Sequence, residues 1–350
     1  MKNFTCKSVL SFILLVALLS SCDSTLGVFS EIQKETKKSN SQVLMGGITT
    51  DFASIGGKYL ALRARLASRS AAGNEWGWVT PSNFPSDYYC NAIAQTTSAV
   101  YAAVRENQGS AVVTDVFFTN DGITWAGTSG LEGLNVVGLF AASDALYASV
   151  RDAGGKYDLY YLNGGNFTAV AAVADKTENI AGAAKSVATY YVAVGDTVYS
   201  EADQALTTPA SAQASGEKFT TVAAGFSGIF FGTASGKVYS GTTFPATTPL
   251  SSSTDGIASL IELSDNTNLV AGLFSEGYYE LASADLSSPD FCTTNGVLVP
   301  ADASANPLKD KPVLRLVETG GKLFACVAVS TSDTSTLWRN DLDGTGWHAE

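Results

Sequence analysis

Three arginines occupy the same place in a recurring phrase, and their chemistry is the most usable in this chain. The phrase reads Lys58-Tyr59-Leu60-Ala61-Leu62-Arg63, then Val100-Tyr101-Ala102-Ala103-Val104-Arg105, then Leu146-Tyr147-Ala148-Ser149-Val150-Arg151. Each arginine follows its aromatic by four residues, so on a strand of period two it shares that residue's face. A guanidinium is a planar fork of donors that grips a carboxylate, sulfate or phosphate two atoms at a time. Arg63, Arg105 and Arg151 brought to one sector of a surface would form an anion site. The rival reading is local pairing, because Glu106 and Asp152 directly follow two of them. Exposed pairs of that kind contribute only ~0–1 kcal/mol.

Other reactive groups are few. His348 is the only histidine and lies almost at the end of the sequence, a poor place to hold a general base rigidly. The chain has no GxSxG elbow, no phosphate-binding Walker loop and no GxGxxG in a βαβ setting. Scattered Asp and Glu could form a glycosidase pair inside a channel, but no pattern singles one out. Without a CxxC, and with one histidine, a Cys/His zinc site has little support. The expectation is therefore a non-enzyme with no catalytic residue, no metal ligand and no cofactor.

The elements that must carry the arginines follow from the repeat itself. Weaker copies of the phrase stand at Tyr190-Tyr191-Val192-Ala193-Val194, Phe230-Phe231-Gly232-Thr233, Leu269-Val270-Ala271-Gly272-Leu273 and Leu323-Phe324-Ala325-Cys326-Val327. Their second residues lie 42, 46, 44, 40, 39 and 54 positions apart. A period near forty built of short β-type segments marks an all-β propeller, here of about seven four-stranded blades. The third repeat parses most cleanly. Strands are expected over Asn135 to Ala142, Leu146 to Arg151, Tyr157 to Leu162 and Asn166 to Val173, joined by Ser-Asp, Asp-Ala-Gly-Gly and Asn-Gly-Gly turns. The connections on the Arg side of each blade would share one rim of the ring. Asp302 to Pro312 reads as a loop inserted before the last blade, and Gly346-Trp347-His348 as a short final strand.

Composition agrees with this class. Charged residues make up 15% of the chain while Gly (33), Tyr (14) and Phe (17) are plentiful, as strands covered on both faces and joined by tight turns require. The formal charge is -12. An acidic body disfavours nucleic acid and offers no basic patch to anionic lipid.

Ahead of the repeats the sequence reads as an address. Lys2 and Lys7 precede an apolar run from Val9 to Leu19, too short for a durable membrane span. The run ends in Leu19-Ser20-Ser21-Cys22, which resembles the bacterial lipobox. That resemblance implies cleavage before Cys22 and acylation of that cysteine, hence a lipid-anchored protein of the bacterial cell envelope, in a leaflet the sequence leaves open. Residues 1–21 are then a signal peptide, 22–45 the lipidated Cys and a polar tether, and 46–350 the propeller. Part of Val43 to Ile48 could add a strand to it. Beyond Cys6 and Cys22, three cysteines remain: Cys90, Cys292 and Cys326. Cys292 and Cys326 bracket the junction into the last repeat and could pair in an exported protein, or all three could be buried as small apolar residues.

A second resemblance sits in the second repeat. Thr119-Asn120-Asp121-Gly122-Ile123-Thr124-Trp125 resembles the Asp-box, or BNR repeat, of sialidases and other propellers, with Asp121, Gly122, Thr124 and Trp125 matching its core. Asp343-Gly344-Thr345-Gly346-Trp347 is a degenerate echo. The resemblance implies a structural turn: Asp accepts backbone N–H groups, Gly permits the turn and Trp packs between blades. The arginine cluster and tyrosine nucleophile of sialidases have no matching motif here. The expected function is a lipid-anchored binding or scaffolding module whose partner is a protein or envelope component. A carbohydrate-binding or glycoside-active propeller is the alternative, and an assembly factor that adds strands to client proteins is a third reading.

Overall fold

The computed structural model describes residues 44–106, 113, 115–206, 209–212, 217–241, 251–264, 268–282, 285–290, 298 and 306–350. Cys22, the segment before it and Cys292 lie outside these residues. The compact unit is Val43–Glu350, and it is a seven-bladed β-propeller. Each blade is a small antiparallel sheet in simple up-and-down order. The first blade has strands Asp51–Ile55, Lys58–Leu62, Leu66–Ser70 and Gly77–Trp78. The first strands of the other six are Tyr89–Gln95, Val136–Ala142, Ile180–Ser186, Phe219–Gly225, Ile257–Glu262 and Val313–Thr319. These seven inner strands neighbour one another in a closed cycle around a central channel.

Alternation of side chains along each strand feeds two cores at once. Leu60 and Leu62 pack toward blade 2, whereas Tyr59 and Ala61 pack toward blade 7. Repetition of this pattern gives seven buried clusters, one at each blade–blade junction. A single blade would leave both apolar faces wet, so the ring is the smallest unit that buries them all.

Six of the seven inner strands carry a β-bulge at the same place near their start. The residue opposite the end of each bulge is small: Ala103, Ser149, Ala193, Gly232, Gly272 and Cys326. The next blade's inner strand explains this. A Cβ on Gly272 would lie 2.6 Å from the Val313 carbonyl oxygen, and one on Gly232 would lie 2.6 Å from Ile257. The register also shifts one sequence assignment. Phe230, not Phe231, occupies the place of Tyr147.

The third blade follows the sequence parse except at its edge. Its strands are Val136–Ala142, Ala145–Arg151, Tyr157–Asn163 and Asn166–Ala169, and the residues expected to finish the last strand form a 3-10 turn, Ala171–Val173. That turn buries Val173, which an outer strand would have left at the rim. The final strand is Trp347–Ala349. Cys90 and Cys326 are buried free thiols; burial pushes the Cys90 thiol up to about 12 and also raises that of Cys326.

Closure joins blade 7 to blade 1 from both ends of the unit. Gly47–Ile48 pairs with Ala328 and Val329 of blade 7, in line with that blade's inner strand. The Thr336 hydroxyl donates to the Leu44 carbonyl at 2.5 Å and accepts from the Thr49 hydroxyl at 2.6 Å. Between the blades, Phe52 stacks on Phe324 with centroids 4.3 Å apart, and Tyr59 meets Phe324 edge-on at 5.0 Å. The buried Arg69 of blade 1 lies over Tyr59 and Trp76 and pairs with Glu350 of blade 7, which also takes Arg339 at 2.6 Å. Removing one partner of a buried pair strands the other charge. Arg69→Ala is therefore expected to lower unfolding free energy by about 3–5 kcal/mol, measured by denaturant titration. A loss below about 1 kcal/mol would show that the pair behaves as an exposed one.

Candidate functional site

Strand direction alternates within a blade, so the connections fall on two faces. The links from second to third strand and from each blade to the next share an upper face; the remaining hairpins share a lower one. Arg63, Arg105 and Arg151 stand at the upper ends of the second strands of blades 1, 2 and 3. The structure brings two of the three together. Arg63 and Arg105 line one groove of about 930 Å³ between blades 1 and 2, whereas Arg151 is not part of its lining. Arg151 lies over Tyr157 of its own blade at 5.7 Å. Asp152 does not serve it as a partner: its Oδ1 accepts the Lys156 N–H at 2.7 Å and closes the turn.

The groove gains an arginine that the repeat gave no reason to single out. Arg65 lies two residues after Arg63 in a tight connection closed by the Arg63 N–H on the Arg65 carbonyl at 3.0 Å. Its guanidinium sits 4.8 Å from the Tyr88 ring centre, and Arg105 sits 5.6 Å from that of Tyr89. Stacking on an aromatic fixes the plane of the fork while leaving its edge to donate. Arg63 donates to the Gly46 carbonyl, so the strand that closes the ring also positions this side chain. Partial burial holds the Arg63 guanidinium below its ordinary range. The rest of the lining includes Ile48, Trp78 and Val137. The signal that could have found Arg65 is the sequence Arg63-Ala64-Arg65 read as a hairpin, which puts both arginines on one face.

On the lower face, the Asp121 turn behaves as its residue types require. Asp121 Oδ1 accepts the N–H groups of Ile123 at 2.8 Å and Thr124 at 2.7 Å, and the Thr119 hydroxyl at 3.0 Å. Gly122 adopts a φ of 72°, and a Cβ there would strike the Lys58 side chain at 2.8 Å, so only glycine fits against blade 1. Trp125 is buried in the cluster shared by blades 1 and 2 and meets Phe84 edge-on at 5.3 Å. The second turn repeats this arrangement: Asp343 accepts the Thr345 N–H at 2.9 Å, and Trp347 Nε1 donates to the Tyr278 hydroxyl of blade 6 at 3.0 Å. Both turns lie far from the arginine groove along their blades.

The central channel encloses about 460 Å³, walled chiefly by small residues of the inner strands. Carboxylates at its wall and mouth are committed to structure. Asp51 faces Arg315 at 3.3 Å, and burial, opposed by Arg315, leaves its carboxyl above the usual range. Glu262 takes the Ser227 N–H at 2.9 Å, and Glu318 takes that of Ser264 at 2.7 Å, each bracing the neighbouring blade's hairpin. Lys185 binds Asp144 across another junction at 2.8 Å. Among the described residues no cluster of His, Cys, Asp and Glu is arranged to hold a metal.

No family model and no curated protein matches the chain. Solved structures do resemble it. The WD40 propeller domain of Doa1 superposes with a TM-score of 0.57 at 10% identity, covering 87% of this chain and 94% of that one. YCF48 bound to D1 peptide superposes with a TM-score of 0.56 at 12% identity, covering 85% and 94%. The extracellular domain of BT4673 from B. thetaiotaomicron gives 0.57 at 12% identity, covering 83% of this chain and 38% of that one. Identities this low establish the shared fold and nothing finer.

Two predictions follow from the lower-face turns. Trp125→Ala should lower stability by about 3–5 kcal/mol in a denaturant titration while leaving the upper face intact; an unchanged midpoint would mean the indole is not wedged between blades. Asp121, held by backbone donors from Ile123 and Thr124, stays ionised well below the usual carboxylate range. Its folded form binds a proton more weakly than the unfolded chain, so its contribution is complete above about pH 4 and fades as pH falls further. Melting temperature followed from pH 6 to pH 2 should therefore drop less steeply in Asp121→Asn than in wild type; parallel curves would contradict this.

Proposed function

We propose that the protein is an exported, lipid-anchored β-propeller that works as a binding module for a protein ligand, held on its upper face. One observation carries the reading. A ring made rigid by seven interlocked cores presents a groove that combines guanidinium groups with exposed apolar side chains. Recognition by a preorganised surface needs no chemical step, and the carboxylates near the channel act as braces between blades. Binding of D1 peptide by YCF48, a propeller of the same fold, supports the same use here.

The anchor rests on Leu19-Ser20-Ser21-Cys22. Two or more acyl chains on Cys22, at ~0.8 kcal/mol per buried methylene, hold a protein stably on a bilayer. Within the propeller, Leu44 is held by Thr336 of an upper connection of blade 7, on the same face as the groove.

Both halves can be tested in cells. Cys22→Ser should abolish partition into the detergent phase; partition equal to wild type would remove the anchor. A photo-crosslinking amino acid at position 137, in the groove wall, should capture a discrete protein, and the same probe at position 187, on a lower hairpin, should not. Capture at neither position, or equally at both, would overturn the binding-module reading.

A further inference from the structure

We propose that the central channel holds a small zwitterion of the amino-acid type, with its carboxylate on Arg315 and its ammonium on Asp51. This site lies apart from the upper groove and goes beyond the binding-module reading. Asp51 and Arg315 line both the channel, of about 460 Å³, and a second space of about 310 Å³ toward the lower mouth. A contrast among the polar groups of this wall gives the first argument. Glu262 gives one oxygen to the Ser227 N–H and the other to the Ser227 hydroxyl. Glu318 does the same with Ser264. Lys185 donates to Asp144 and to the Tyr190 hydroxyl. Asp51 and Arg315 instead join blade 1 to blade 7 through one atom each, Oδ1 and Nε, at 3.3 Å. Oδ1 also accepts the Phe52 N–H at 2.8 Å. Among the described residues no hydrogen bond reaches Asp51 Oδ2 and none leaves the two Nη groups of Arg315. The pair therefore closes the ring with one edge and presents a fork of donors beside an acceptor with the other.

Charge balance gives the second argument and selects the ligand class. The described lining of the two spaces carries two cations, Arg315 and Lys185, and two carboxylates, Asp51 and Glu318. A balanced wall offers a net anion or a net cation no favourable field. A ligand that is neutral overall but divided in charge meets both halves of the pair. An α-amino acid bears its carboxylate and its ammonium on one carbon, so the two groups reach a donor and an acceptor that stand side by side. Neutral hydroxyls would make the same contacts at roughly half the strength, because charge assistance would come from one side only. Space is the third argument. Ala181, Ala183, Ala223 and Ala258 keep the wall low, and the volume lies in the range of small-ligand sites. Burial already holds the Asp51 carboxyl above its usual range, and an ammonium in contact with it would favour the ionised form.

The test titrates the purified full chain by calorimetry with glycine, alanine, serine and threonine, and with propionate, propylamine and glycerol as partial mimics. At least one amino acid should bind one-to-one. Each partial mimic should bind about tenfold or more weakly, as the loss of one charge-assisted contact requires. Arg315→Lys keeps the charge, removes the fork and should weaken the amino acid by a similar factor. Because Arg315 also helps to close the ring, a second variant acts away from the pair. Ala224→Leu, at an exposed position of the channel wall on the inner strand of blade 5, should obstruct binding with an unchanged melting temperature. Equal affinity for propionate, propylamine or glycerol would overturn the zwitterion assignment. Binding that survives both substitutions, or no binding of any of these amino acids by the folded chain, would overturn the site itself and leave the channel to water. Crosslinking at position 137 reads the upper groove separately, so either failure leaves the binding-module reading standing.

Discussion

Closure of the ring between blade 7 and blade 1 is the constraint on which everything else in this structure depends. Each blade has two apolar faces and covers only one of its neighbour's. Six junctions form between blades that follow one another in sequence. The seventh joins segments nearly three hundred residues apart, and without it two aromatic faces stay in water. The chain closes that junction with Phe52, Tyr59 and Phe324 in mutual contact, with Arg69 buried on Glu350, and with the Leu44–Thr50 segment laid across blade 7. Burial of three aromatic rings contributes several kcal/mol, on the scale of roughly 1.5–3 kcal/mol per large side chain, and the ion pair then adds direction more than net energy.

The same closing segment builds the candidate site. Its Gly46 carbonyl holds Arg63, its Gly47 leaves 3.2 Å between a would-be Cβ and that guanidinium, and its Ile48 and Thr50 form one wall of the groove. Ring integrity and groove geometry are therefore one property. A seated segment gives a preset fork; a displaced one takes away both the wall and the anchor of Arg63. The lower face shows the complementary design. Hairpins there are laced to neighbouring blades through Gln95–Ser54, Asp144–Lys185, Ser227–Glu262 and Ser264–Glu318, so polar and charged residues are spent on stiffness.

The architecture was readable because its signals are periodic. Tyr101-Ala102-Ala103 and Tyr147-Ala148-Ser149 sit at the second strand of successive blades, and the aromatic and the small residue each follow from sheet geometry. The phrase fades in blades 5 and 6, where the next inner strand leaves no room for a Cβ on Gly232 or Gly272, and in blade 5 it is Phe230 and not Phe231 that takes the aromatic place. The site was half visible. The repeat puts Arg63, Arg105 and Arg151 at equivalent positions, but a ring turns each blade by about a seventh of a circle, so equivalent positions diverge. Arg151 faces its own Tyr157, whereas Arg65, with no place in the repeat, reaches the groove through one tight connection. Convergence of side chains from different blades depends on connection geometry that no local pattern encodes.

The central claim is that the Leu44–Thr50 segment is part of the closed ring and not an ornament on it. Native-state hydrogen exchange at the Gly46 and Thr49 amides, which donate to the carbonyls of Thr334 and Val327, tests it most directly. If closure governs the fold, these amides exchange only through global unfolding, with the same protection free energy as the inner strands. Rapid exchange at Gly46 and Thr49, while the inner strands remain fully protected, would show that the ring stands without this segment and would contradict the account.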